Sequence, residues 1–480
     1  MEHVRFFVLF ILVMSSIVVY VNRTNLNIAI VDMTIKHEYN VNISGCPVSP
    51  YNTTESTSLS TNIMLFKAID ETGSKGKKYE WDQSTQGTIL GSFFYTYFLF
   101  QVPSGMLAER FGGKYVILFA LIGSTLGSVL TPFIAHFHVS ILCLTRAFMG
   151  MCQAGFFPAS FGIACKWMPL KERSFAFAII ELGSNIGSVL TFYAAGYIIN
   201  NWGWPLLFYV AAVAAGLMSI AHFFLVNNEP RNHPCMSPGE FAIIQDGQEE
   251  DQNTIKGKKI PWIGILTNKP VIAAITFKFS YIWMFSLFYL EMPKYLHEIL
   301  HEDIVGNGQT NAIINILATM SLASTGYASD RIIERKWLGR TATRKTFALF
   351  NGFGYALVVA LIPSIGCHIR KLKILLFTSA ILQGFNAGSS IPIVSEMSQN
   401  FPSLLYAILN MVAMSTGFLV PYFVGRVLDT TDDQIRGWNI IFYASSSILA
   451  VATVFYLIFA RAERQKFDEI DGERTSDTAI

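Results

Sequence analysis

Apolar runs, each about the length of a bilayer crossing, dominate this chain, and short polar breaks separate them. A membrane-spanning helix needs about 20 mostly apolar residues. On that criterion the pattern predicts helices near 5–33, 84–107, 115–135, 140–165, 174–199 and 205–226. A second series follows near 270–293, 309–328, 346–364, 373–393, 404–424 and 438–460. The expected fold is all-α: twelve transmembrane helices in two six-helix pseudo-repeats. Two longer polar stretches divide it into a half over 1–226 with an outer loop at 34–82, a linker over 227–262, a second half over 263–460 and a tail over 461–480. The first run has no small-residue cleavage site and exceeds the roughly 7–15 residues of a signal-peptide core, so it reads as a retained helix.

Composition agrees. Only 14% of the 480 residues are charged and 52% are hydrophobic, against about 25% charged in soluble domains. The net charge of +2, without a basic patch bearing interleaved aromatics, gives nucleic acid no footprint. The six cysteines (Cys46, Cys143, Cys152, Cys165, Cys235, Cys367) lack metal-like spacing. A pairing of Cys46 with Cys367 in outward segments stays open. No HExxH-type spacing and no nucleophile–base constellation is visible, which argues against an enzyme, a metal or a cofactor. His136, His138, His297 and His301 fall in outer loops and read as solvated.

Charge gives an orientation, because short cytosolic loops carry the excess Lys and Arg. With a cytosolic N-terminus, Arg110, Lys114, Lys166, Lys171, Arg173, Arg331, Arg335, Lys336, Arg340, Arg344 and Lys345 all fall inside. Arg370, Lys371 and Lys373 run against the rule. The acceptor sequons at Asn42 and Asn52 then fall outside, as glycosylation requires.

The halves echo each other. Gly105-Met-Leu-Ala-Glu109-Arg110 after helix 2 matches Gly326-Tyr-Ala-Ser-Asp330-Arg331 after helix 8. Recurrence at equivalent loops argues for duplication. Physically it reads as a charge-pair latch between neighbouring helices.

Ionisable groups inside a bilayer are costly, by roughly 2.5–3.5 kcal/mol on insertion scales, and usually face a cavity. Arg23 shares a helix face with Tyr20 and Asn27, and Arg146 lies above Gly150 and Gln153. A guanidinium there suits a carboxylate or phosphate, since it stays charged and donates in a fork. The competing reading is snorkelling or pairing with a structural acid. Glu181 heads a polar stripe with Ser184, Asn185 and Ser188, and Gly183 and Gly187 permit close packing. It reads either as a coupling carboxylate or as a partner for an arginine. Lys278 reads as a snorkelling residue, and Asn311, Asn315 and Asn410 as polar lining.

Asn22 through Met33 resembles the first helix of the anion:cation symporter family of the major facilitator superfamily, the group of sialin, the vesicular glutamate transporters and the sodium–phosphate cotransporters. Further similar elements are Trp81-Asp82, Gly87, Gly91 through Tyr95, Gln101-Val102-Pro103, Arg146 through Gly155, Lys166 through Pro169 with Glu172-Arg173-Ser174, and Gly203-Trp204. Pro230 to Glu240, Asn410, Gly417, Pro421, Gly425 and Trp438 complete the set. The resemblance implies alternating access and an anion site between the halves, with Arg23 and Arg146 in the positions implicated in anion transport. Leu90 and Tyr281 stand where the vesicular glutamate transporters have histidine and arginine, which points to the sialin and sodium–phosphate branches. Met149 and Gln153 stand where the sialin type has acids, so Gln153 and Glu181 become the coupling candidates, for sodium or proton.

The leading expectation is a secondary carrier for small organic anions or inorganic phosphate, with Arg23 and Arg146 as anion ligands and Tyr95, Tyr281 and Asn410 shaping the cavity. The alternatives are an uncoupled anion channel or uniporter, and a transport-inactive anion receptor. The terminal Asp477-Thr478-Ala479-Ile480 fits a peptide that adds a strand to a PDZ domain. Together with the lack of an acidic dileucine signal near the N-terminus, it leans toward the plasma membrane.

Overall fold

The computed structural model describes residues 4–35, 76–245, 261–366, 368–390, 392–398 and 402–468. Asn42, Asn52, Cys46, Cys367 and the terminal 477–480 peptide lie outside the described residues. Six helices form the first half: α1 (Val4–Met33), α2 (Gln83–Phe111), α3 (Gly113–Ile134), α4 (Val139–Trp167), α5 (Leu170–Trp202) and α6 (Trp204–Leu225). The second half follows as α7 (Lys269–Glu298), α8 (Ile304–Glu334), α9 (Arg340–Ile365), α10 (Ile369–Gly384), α11 (Pro402–Met414 continued by Thr416–Thr430) and α12 (Gln434–Phe459).

Among the described residues nine of these helices are each long and apolar enough to cross a membrane. The other three are α2, α8 and α10. The first two are long but carry polar faces, and α10 has only 16 residues before it breaks into a 3-10 turn at Phe385–Gly388. Hydropathy alone extends that helix to 393, but Ser389, Ser390 and Pro392 end it sooner. Conversely α2 and α8 overrun their apolar windows, α2 at its C-terminal end and α8 at both ends, and Asp82 and Asp303 fix their starts, accepting from the N–H of Thr85 at 2.9 Å and of Gly306 at 3.2 Å. Large apolar side chains such as Leu144, Val213, Phe224 and Val451 stay exposed on the outside, as lipid rather than water requires.

Sharp turns join consecutive helices. Gly112 (φ 91°) links α2 to α3 and Gly203 (φ 85°) links α5 to α6, both in the left-handed region where a Cβ is disfavoured. The linker clamps onto the first half. Glu240, on the short helix Pro238–Gln245, accepts the backbone N–H of Val4 at 3.1 Å and of Arg5 at 2.9 Å. A carboxylate at the positive end of α1 is favoured by the helix dipole.

The contacts that join the two halves cluster on the side away from the chain ends. There the N–H groups of Gln83 and Ser84 at the start of α2 donate to the Asp429 carboxylate of α11 at 3.1 and 2.9 Å. Gln309 of α8 donates to the Tyr197 hydroxyl of α5 at 2.7 Å. Gly87 meets the Pro421 carbonyl, and Gly308 meets that of Phe192, backbone approaches that only small residues allow. On the side of the termini, Glu109, Arg110 and Asp330 are exposed, and Arg331 pairs with its own Glu334 at 3.1 Å. None of the four bridges the halves. A cleft between α1, α2, α4 and α5 on one side and α7, α8, α10 and α11 on the other therefore opens toward the termini.

The second half has its own buried clasp on that side. Arg344 at the start of α9 grips Glu396 in a fork, at 2.7 Å from Nη2 and 3.1 and 3.2 Å from Nε, and donates to Ser329 Oγ of α8 at 2.6 Å. Lys373, one of the three basic residues that break the inside-positive pattern, is ion-paired to Glu302. The outer histidines are engaged rather than merely solvated. His136 meets the Tyr79 hydroxyl at 3.0 Å, His138 caps α4 by accepting from the N–H of Ser140 at 3.1 Å, and His297 meets the Glu302 carbonyl at 3.2 Å. Burial pushes the Tyr79 phenol up to about 12, so it stays a neutral partner for His136.

Candidate functional site

Three close packings aim the site. On α4, Gly150 lies against the Phe93 carbonyl of α2, and on α5, Gly183 and Gly187 lie against the carbonyls of Val13 and Ile17 of α1. These contacts draw α2, α4 and α5 onto α1 and bring Arg23, Phe93 and Arg146 together, with Glu181 further toward the termini on α5. Arg23 is 6% exposed and Arg146 is 2% exposed.

Arg23 sits in an aromatic box. Its guanidinium carbon lies 4.6 Å from the Tyr20 ring centroid, 4.9 Å from Phe93 and 4.5 Å from Tyr97. Cation–π attraction of this kind contributes roughly 0.5–2 kcal/mol per ring. Nη1 donates to the Tyr20 hydroxyl at 3.2 Å and Nε donates to Gln153 Oε1 at 3.4 Å. Gln153 is held by its own donation to Ser124 Oγ at 2.8 Å. The expected shared face of Tyr20, Arg23 and Asn27 is present, with Asn27 donating to the Tyr289 carbonyl of α7 at 3.1 Å. The Tyr289 hydroxyl hydrogen-bonds Thr24 and reaches Ser188 Oγ at 3.4 Å.

Arg146 shares the Phe93 ring, with its guanidinium carbon 5.6 Å from the centroid. Its donors go to main chain: Nη2 to the Arg23 carbonyl at 3.3 Å and Nη1 to the Asn22 carbonyl at 3.5 Å, while Nε is buried without a partner. Among the described residues no acidic side chain ion-pairs with either arginine. Pairing with a structural acid, the reading that competes with anion binding, thus finds no acid. A buried cation without a counter-ion is strongly disfavoured, so two of them against one ring favour the approach of negative charge.

The opposite wall differs from expectation. Tyr95 stacks on Phe418 of α11 at 4.4 Å, turned away from the arginines, and Phe93 and Tyr97, one turn apart on α2, face Arg23 instead. Tyr281 is buried beside Gln383 of α10 and Asn386 of the 3-10 turn that follows it. Asn410 is half-buried on α11. Glu181 is exposed to the cleft, and the groups that bear on it electrostatically are Tyr20 of its own half and, from the other half, Lys278, Tyr281 and Tyr406. Lys278 does not snorkel. It is 7% exposed, with Nζ 3.9 Å from the Tyr406 ring centroid.

Beside Tyr20, the sequence places Phe93 only in a motif and does not single out Tyr97 or Tyr289 as partners of the arginines. The i, i+4 spacing of Phe93 and Tyr97 was a usable signal. Tyr289 was not legible, because α7 passes through a π-helical turn at Leu287–Glu291 that shifts its facing.

A membrane-embedded, two-half helical carrier with a central cationic cleft is what fold and site define. The sequence profile of the Major Facilitator Superfamily matches residues 12–421. Sialin of Homo sapiens is 29% identical over 94% of this chain and 88% of its own, and vesicular glutamate transporter 2 of Homo sapiens is 28% identical over 83% and 68%. Among solved structures, the xylose transporter XylE from E. coli in its inward-open conformation superposes with a TM-score of 0.65 at 12% identity, covering 95% of this chain and 96% of that one. The chain belongs to the Major Facilitator Superfamily, and its curated relatives fall in the anion:cation symporter group.

Proposed function

We propose that this protein is a secondary carrier for a small organic anion or inorganic phosphate, working by alternating access. The observation that carries the reading is the pair of buried guanidinium groups on Phe93 with no acidic partner. Arg23 is the anion ligand. Arg146 anchors α1 in the present state and supplies a second donor fork when α1 shifts. Tyr281 and Asn410 shape the far wall, and Tyr95 acts at the seam with α11. Glu109-Arg110 and Asp330-Arg331 close the side of the termini when the other side opens. That side is cytosolic, in keeping with the Lys and Arg in its loops, and the plasma membrane is the favoured location, with the C-terminal peptide as a PDZ ligand and Asn42 and Asn52 carrying glycans.

Transport is driven by a sodium or proton gradient or by membrane potential, with Glu181 and Gln153 as coupling groups. The neutral Gln153, in place of an acid, favours one second reading, an uncoupled uniporter or channel. The test is reconstitution with a radiolabelled panel of phosphate, urate, sialic acid and glutamate, with sodium, proton and voltage gradients imposed separately. The carrier reading expects acceleration of uptake by the same anion on the opposite side. Uptake without that acceleration favours the pore, and no uptake of any anion overturns both.

A further inference from the structure

Resting on the carrier reading, we infer that Asn27 of α1 and Tyr289 of α7 form a far-side gate at the depth of the arginines, a clasp whose acceptor is a main-chain carbonyl that Pro293 leaves without its helical donor. In an α-helix the Tyr289 carbonyl would accept from the N–H four residues on, and that residue is Pro293, which has none. The carbonyl accepts instead from Asn27 Nδ2, in the other half, at 3.1 Å. The same tyrosine makes a second contact across the halves, for its hydroxyl hydrogen-bonds Thr24 and reaches Ser188 Oγ at 3.4 Å. A stack on Phe285 at 5.3 Å and an edge contact with Phe192 at 6.0 Å fix its ring. Thr24, Asn27, Ser188 and Tyr289 are all buried.

Thr24 adjoins Arg23, and Asn27 lies one turn further toward the far side. The second half therefore holds the arginine-bearing helix just beyond the anion site, deeper than the exposed cap that Asp429 makes on Gln83 and Ser84. Opening the far side must part α1 from α7 and take Asn27 from the Tyr289 carbonyl. A buried carbonyl left without a donor is costly, so the clasp resists opening until water reaches it. Asn27 and Tyr289 act as positioning residues: they set how often the site faces the far side.

The experiment uses the full chain with spin labels at Phe137 and Ile369, exposed far-side positions on the two halves, whose pulsed dipolar distances report far-side opening without any substrate. Asn27→Ala is expected to raise the far-side-open population by roughly threefold to tenfold. Tyr289→Phe, which keeps the ring and loses the hydroxyl, is expected to raise it by roughly twofold to fivefold. Adding Pro293→Ala to Asn27→Ala returns a helical N–H to the Tyr289 carbonyl and is expected to bring the population back to within about twofold of the wild type. A merely structural role for Asn27 offers no such rescue. In proteoliposomes, with phosphate, urate, sialic acid and glutamate as probes, Asn27→Ala is expected to lower half-saturation from the far side, because the competent state is commoner. Unmoved distances in Asn27→Ala, no rescue by Pro293→Ala, or a rise in far-side half-saturation overturns the inference. If size-exclusion profiles show the alanine variants misfolded, unmoved distances in Tyr289→Phe overturn it instead. If the distances respond but the wild type exchanges no probe, the clasp stands and the carrier reading has failed.

Discussion

Arg146 donates from Nη2 to the main-chain carbonyl of Arg23 at 3.3 Å, so one arginine holds the helix that carries the other. The two are therefore coupled through the backbone of α1 as well as through the Phe93 ring. Movement of α1 away from α4 frees the Arg146 fork at the moment it displaces Arg23.

This arrangement predicts different failures for the two positions. Arg146→Lys keeps the charge but loses the fork across two carbonyls. It is expected to lower thermal stability in detergent by about 1–2 kcal/mol and to reduce maximal uptake more than half-saturation. Melting curves and uptake kinetics check this, and a pure rise in half-saturation would count against it.

The far-side seal rests in part on Asp429. As a cap across the halves it contributes about 1 kcal/mol. Asp429→Ala is expected to shift the population toward the state open on that side by roughly fivefold. A cysteine placed near the mouth of the cleft, labelled from each side in turn, reads the shift. Unchanged labelling would remove Asp429 from the gate.

Two buried carboxylates should respond in opposite ways. Glu396 is forked to Arg344 with both side chains largely buried, so Glu396→Gln strands a cation and is expected to destabilise by about 3–5 kcal/mol. Glu291, in the π-helical turn of α7, is 1% exposed with neither oxygen hydrogen-bonded. Glu291→Gln is expected to leave stability unchanged or raise it by up to about 2 kcal/mol. Thermal unfolding of both variants side by side decides the pair of expectations.

How far the sequence carried depends on the kind of signal. Helix number and order were legible because lipid demands long apolar runs, and Arg23 and Arg146 stood out because charge there is rare. The end of α10 was not, since hydropathy does not register the conformational preferences of Ser389, Ser390 and Pro392. Tyr95 attracted attention through its motif, yet rotation about α2 hands the arginine to Phe93 and Tyr97. Lys278 was read from its distance to the helix end, and only packing against Tyr406 shows that it stays in the cleft. Such facing depends on helix crossing and on π-helical turns, which a single sequence encodes weakly.

In the proposed mechanism two uncompensated guanidinium groups grip negative charge. The most direct measurement is counterflow of the labelled anion panel in proteoliposomes, comparing wild type with Arg23→Gln combined with Arg146→Gln, each shown to be folded by size-exclusion profile. Exchange of at least one anion by the wild type and of none by the double variant is expected. Undiminished exchange in the double variant would contradict that mechanism.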